Sequence, residues 1–167
     1  MAYGEKGAIF NDITYGFYSV FAELHNVTPT IIPLKEDFSV DISCFLGQNR
    51  FIVLANPNAP TGIALPTSTI EEIVKSNPDS IVLIDEAYVD FGGESCAELT
   101  KKYDNLLMAI QSGLHVFKII NGFTCKGTDC QACLLYLDFN DLHVRRLIDC
   151  FFCFHHLCFL IFHHNYL

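Results

Sequence analysis

Basic residues are scarce: 10 Lys and Arg stand against 19 Asp and Glu, for a net charge of −9. That balance argues against a chain selected for nucleic acid or an anionic membrane surface. The sequence also does not open on a charged, then apolar, then small-residue leader. Its eight cysteines are therefore expected to be thiols in a reducing compartment, the cytoplasm, rather than a disulfide framework. A membrane span needs about 20 predominantly apolar residues. The strongly apolar stretch 147–162 has 16 positions, and Asp149, His155 and His156 interrupt it. No internal repeat and no Pro, Gly or Ser linker divides the chain.

What is present is ample core material. A length of 167 residues with 51% apolar and 13% aromatic content can fill one domain of ordinary size and excludes global disorder. The averages hide a division after Leu107. Residues 1–107 hold 15 acidic and 6 basic residues, 2 Cys and 1 His, whereas 108–167 hold 4 acidic and 4 basic residues, 6 Cys and 6 His. The expected organisation is an acidic domain over 1–107 followed by an unlike Cys-, His- and Phe-rich tail over 108–167.

Apolar residues at Tyr15, Tyr18, Phe21, Ala22 and Leu24 follow one helical face and predict a helix over 15–25. Asn26 supplies its stop, and Pro29 allows an extended segment from Thr30 to Leu34. Phe51 to Ala55 is a continuous apolar run closed by Asn-Pro-Asn, the pattern of a buried strand ending in a turn. Ser68 or Thr69 can cap a helix with Glu71 and Glu72 in its first turn and Ile70, Ile73 and Val74 buried. After the break at Asn77-Pro78-Asp79, a β-branched run from Ser80 ends at Asp85. Strand, helix and strand in this order predict an α/β fold with a parallel-rich sheet and flanking helices. Functional groups then belong at the carboxyl ends of the strands, where Asn56–Gly62 and Asp85–Tyr88 fall.

Three segments carry more than fold class: Ile-Thr-Tyr-Gly-Phe-Tyr at 13–18, Asn-Pro-Asn-Ala-Pro-Thr-Gly at 56–62 and Asp-Glu-Ala-Tyr at 85–88. In this order and at these separations they resemble the large domain of the pyridoxal-phosphate-dependent aminotransferases of fold type I, in particular the histidinol-phosphate branch. The resemblance covers about residues 1–107. It implies pyridoxal phosphate as cofactor, an amino donor and a 2-oxo acid as substrates, and a homodimer. It also implies roles for four residues. Asp85 matches the carboxylate that keeps the cofactor's pyridine nitrogen protonated. Tyr88 matches the tyrosine bonded to the ring oxygen, and Tyr15 the aromatic stacked on the ring. Many members carry Asn directly before Pro-Thr-Gly, where this chain has Ala59; Asn58 is then the nearest substitute, while Pro60 and Gly62 form the turn.

The family's Schiff-base lysine lies in a Ser-Lys motif soon after the strand that Asn105–Leu107 begins. That motif is missing. Lys118 lies at a comparable distance beyond Asp85 but follows Phe117 and precedes Ile-Ile-Asn-Gly, so no catalytic lysine is assigned. The family's phosphate-cradling loop and carboxylate-binding arginine have no counterpart in these residues. Together with the abrupt change at Met108, this reads as a truncated relic with an out-of-frame tail. Two alternatives give the tail a role of its own. Cys130 and Cys133 with Cys150 and Cys153 have the spacing of a zinc ribbon, although Phe151, Phe152 and Phe154 surround the second pair. The run 147–162, with Arg145 and Arg146 beside it, could instead touch a membrane.

Overall fold

The computed structural model describes residues 7–48, 50–112 and 115–119. Six strands form one sheet: β1 (Ala8–Asn11), β2 (Pro29–Ile32), β3 (Phe51–Ala55), β4 (Val82–Glu86), β5 (Leu106–Ser112) and β6 (His115–Ile119). Their spatial order is β2-β1-β3-β4-β5-β6. Every pair is parallel except β5 and β6, which run antiparallel with an irregularity between Ile110 and Ser112.

Alternation along the strands sorts the core into two layers. Ala8, Phe10, Phe51, Val53, Leu83, Leu107 and Ala109 face helix α1 (Phe17–Leu24), which buries Tyr18, Phe21 and Ala22 against them. Ile9, Ile52, Leu54, Val82, Ile84, Leu106 and Met108 face the other way, onto Ile70, Ile73 and Val74 of helix α2 (Thr67–Ser76). The β1-α1-β2 and β3-α2-β4 units therefore cover opposite faces. The direction of winding switches between β1 and β3, where an open α/β sheet leaves a crevice at its carboxyl edge.

Local signals set most boundaries. Asn26 takes a left-handed conformation with φ of 53°. Its N–H bonds the Glu23 carbonyl, and the Val27 N–H bonds that of Ala22. This double closure terminates α1 and buries Val27. The helix is shorter than the expected 15–25 because Tyr15 and Gly16 form the entering turn. Helix α2 also differs from expectation. Pro66, not Ser68 or Thr69, occupies the cap position, and its carbonyl accepts from the N–H groups of Thr69 and Ile70. Glu71 and Glu72 consequently lie beyond the first turn; Glu71 binds Lys75, Lys102 and Tyr103 instead.

Pairing moves three strand ends as well. The β2 ladder runs from Pro29 to Ile32, opposite Ala8–Asn11. Strand β4 extends through Asp85 and Glu86, because those residues pair with Ala109 and Ile110 of β5. Strand β5 itself continues from Leu106 to Ser112, across the division at 107. No helix among the described residues is long and apolar enough to cross a membrane.

Candidate functional site

The loops after β1 and β3 meet at the switch point. The Asn58 amide donates to the Ile13 carbonyl at 2.9 Å, and its oxygen accepts from the Thr14 hydroxyl at 2.8 Å. A further bond reaches Thr61, and Asn58 is buried. Both the Asn56-Pro57 and Ala59-Pro60 bonds in this loop are cis. Asn56 is also buried, and it fixes the loop's return by accepting from the Leu65 N–H at 2.6 Å and donating to the Leu65 carbonyl at 3.2 Å. The side chain of Asn58 is thus engaged in clasping two loops, with Tyr15 immediately beyond the clasp.

Asp85 sits at the carboxyl end of β4 on the α1 side of the sheet, two residues after Leu83. It is 4% exposed. Its Oδ2 accepts from the Tyr18 hydroxyl at 2.8 Å and its Oδ1 from the Ala87 N–H at 3.0 Å. Burial pushes the Asp85 carboxyl up from its ordinary 3.8 to about 6; the bonds from Tyr18 and Ala87 oppose that rise, and the neighbouring Glu86 adds to it. Tyr18 is held well above the usual phenol range by burial first and by the Asp85 charge second, so it stays the proton donor of the pair.

Among the described residues, no Lys, Arg or His pairs with Asp85. A buried carboxylate without a cation is costly in a protein interior. It suits a ligand that brings a positive charge to this edge.

Tyr15 is half-buried, with its ring 5.6 Å from that of Tyr18 in an edge-on arrangement and 5.5 Å from that of Phe17. Tyr88 follows β4 directly, is exposed, and has its ring 6.0 Å from the Phe91 ring. The carboxyl edge thus brings a flat aromatic face, a buried anion and an accessible phenol to consecutive loops. Those groups suit the ring of pyridoxal phosphate: the anion could pair with a protonated pyridine nitrogen, an aromatic face could lie against the ring plane, and a phenol could bond the ring oxygen.

Lys118 lies in β6 opposite Ile110, whose other neighbour is Glu86 in β4. The four tail cysteines 130, 133, 150 and 153 and the apolar run 147–162 lie outside the described residues. Among the described residues no cluster could hold a metal ion, and Cys44 and Cys96 are free thiols.

Two buried groups carry structure that residue-type reasoning missed. Tyr18 falls in an apolar helical stripe and ends the 13–18 motif without a role of its own, yet it is the donor to Asp85. Glu86 is fully buried on the α2 side, where it accepts from the Ser95 hydroxyl and the Cys96 N–H, each at 2.7 Å. Its position next to Asp85 was the available signal, since strand alternation sends consecutive acidic residues to opposite faces.

Residues 1–116 match the class I and II aminotransferase family, and the chain belongs to that family. Among its curated relatives, histidinol-phosphate aminotransferase of Lactococcus lactis subsp. cremoris (strain SK11) is 50% identical over 105 residues, covering 63% of this chain and 30% of the relative. Histidinol-phosphate aminotransferase 2 of Gluconobacter oxydans is 53% identical over 100 residues, covering 60% and 28%. The chain thus spans under a third of the length of these relatives.

The crystal structure of the histidinol-phosphate aminotransferase from Clostridium acetobutylicum superposes with a TM-score of 0.58 at 22% identity, covering 62% of this chain and 33% of that one. L-threonine-O-3-phosphate decarboxylase from Porphyromonas gingivalis gives 0.57 at 21% identity, over 86% and 46%. These two likenesses establish the fold: the parallel-rich large-domain sheet of the pyridoxal-phosphate-dependent aminotransferases.

Proposed function

We propose that this chain forms the ring side of the cofactor site of a pyridoxal-phosphate-dependent aminotransferase of the histidinol-phosphate type. Such an enzyme moves an amino group between a phosphorylated amino compound and 2-oxoglutarate in histidine biosynthesis. The observation that carries the reading is Asp85, a buried carboxylate at the carboxyl end of a parallel strand, with no cationic partner among the described residues.

When bound, the cofactor supplies an electron sink for charge that develops on the substrate. Asp85 holds the proton on the ring nitrogen, Tyr15 offers the face against which the ring lies, and Tyr88 bonds the ring oxygen. Asn58 serves this site by clasping the loop that carries Tyr15; its two strongest contacts to Ile13 and Thr14 support that role over direct cofactor contact.

The sequence contains no Ser-Lys pair, and Lys118 lies in β6 rather than in the family's motif. On this reading the chain retains the cofactor-facing groups and does not itself complete amino transfer. A cytoplasmic setting and the family's homodimer belong to the same proposal, as does the view of the tail as foreign to the enzyme, with its start placed not at 108 but beyond the family match, which ends at 116.

Titrating the purified chain with pyridoxal phosphate, by equilibrium dialysis, tests it. Binding that weakens about tenfold or more in Asp85→Ala, the scale of a lost hydrogen bond to a charged group, is the expected result, with no amino transfer to 2-oxoglutarate. Equal binding by both proteins would overturn the assignment of Asp85. Steady turnover would overturn the claim that the chain does not complete the reaction.

A further inference from the structure

We propose that Tyr18 is a positioning residue of this site: its phenol fixes Oδ2 of Asp85 while its ring braces Tyr15, so that carboxylate and stacking face are set as one unit. The inference rests on the cofactor reading above and extends it to a residue with no assigned role. Tyr18 lies in the first turn of α1, and its N–H bonds the Tyr15 carbonyl at 3.1 Å. That turn puts positions 15 and 18 on one side of the helix. The Tyr18 ring is wedged edge-on between Phe10 of β1, at 5.9 Å, and Tyr15, at 5.6 Å. It is 3% exposed, and its phenol meets Asp85 at 2.8 Å.

Among the described residues, the groups that set the charge of Asp85 are few. Tyr18 and Tyr15 face this side from α1 and its entering turn; Glu86 adjoins Asp85 in β4; the Ala87 N–H holds Oδ1. Of these, Tyr18 is the one side chain that donates to the carboxylate, and a donor to the charged form favours that form. Burial presses the other way. Removing the phenol leaves the Ala87 N–H alone to oppose burial, and Asp85 then holds its proton further into the neutral range. A protonated Asp85 cannot pair with a cationic ring nitrogen.

The test uses the full chain with and without Tyr18→Phe. In the ligand-free protein, carbon-detected NMR titration of the Asp85 carboxyl is expected to show its midpoint about one pH unit higher in the variant. Replacing Tyr18 by 3-fluorotyrosine, a more acidic phenol of nearly the same shape, moves the midpoint the opposite way and serves if Tyr18→Phe fails to fold. The second arm compares pyridoxal phosphate with its analogue bearing CH in place of the ring nitrogen. The wild-type preference for the nitrogen-containing ligand is expected to fall about tenfold in Tyr18→Phe, and Tyr18→Phe adds nothing further in an Asp85→Asn background.

A merely structural Tyr18 would weaken both ligands equally and leave the midpoint in place; either result overturns the proposal. If neither ligand binds the wild-type chain, the cofactor reading fails, and the midpoint of Asp85 in the ligand-free chain still decides the role of Tyr18.

Discussion

On the proposed reading Asp85 is kept buried for chemistry, and such a carboxylate should be a measurable burden to the fold. Folding raises its pKa from 3.8 to about 6, so the folded chain binds this proton more tightly than the unfolded chain does. Stability contributed by the group is therefore fully present at low pH, is lost as pH rises from about 4 to about 6, and stays lost above that. A rise of that size corresponds to about 3 kcal/mol. Asp85→Asn removes the charge at nearly constant volume, and an amide can still accept from Ala87 and meet the Tyr18 hydroxyl.

Urea unfolding of wild type and variant tests the magnitude. At about pH 7.5 the variant is expected to be more stable by about 2–3 kcal/mol, and at about pH 4.5 by about 1 kcal/mol or less. A variant that is less stable than wild type at neutral pH, or a difference that does not change with pH, would refute the reasoning. In either case the carboxylate would be held by favourable contacts strong enough to outweigh its desolvation.

Other consequences follow from the scaffold around the site. Asn77 is buried at the end of α2, where its amide donates to the Phe45 and Ile73 carbonyls at 2.8 Å each and its oxygen accepts from the Gln48 N–H at 2.7 Å. Asn77→Ala strands these groups, and a loss of about 2–4 kcal/mol in urea unfolding is expected; a loss under about 0.5 kcal/mol would contradict the hub role. Cys96 is 1% exposed, and burial with the Glu86 charge pushes its thiol above the usual range. Brief iodoacetamide treatment of the native chain followed by peptide mapping should modify half-buried Cys44 and spare Cys96; equal modification of the two would contradict that environment.

The parts of the fold legible in the sequence were those governed by short-range rules. Phe51–Ala55 is bounded as a strand by an apolar run and an Asn-Pro turn, and the structure gives those same limits. Asn26 stops α1 because few residues tolerate a left-handed φ. Boundaries set by partners were not legible: β4 runs on through two acidic residues because β3 and β5 offer ladder bonds there, which no local pattern records.

The site divides in the same way. Asp85, Tyr88 and Tyr15 stand out because the motifs mark them. Tyr18 lies in the same motif as Tyr15, but its role was not legible, since it depends on a carboxylate 67 residues later in the chain. Asn58 was legible as a polar residue at a strand end, but what it touches depends on the loop after β1, 44 residues earlier.

The most direct test of the central claim is the protonation of the cofactor's ring nitrogen. Nitrogen-15 NMR of labelled pyridoxal phosphate bound to the chain should show a protonated pyridine nitrogen in mildly alkaline buffer, reverting to the unprotonated form in Asp85→Asn. A bound ligand whose ring nitrogen is unprotonated in the wild-type chain, or protonated equally in both proteins, would contradict the account.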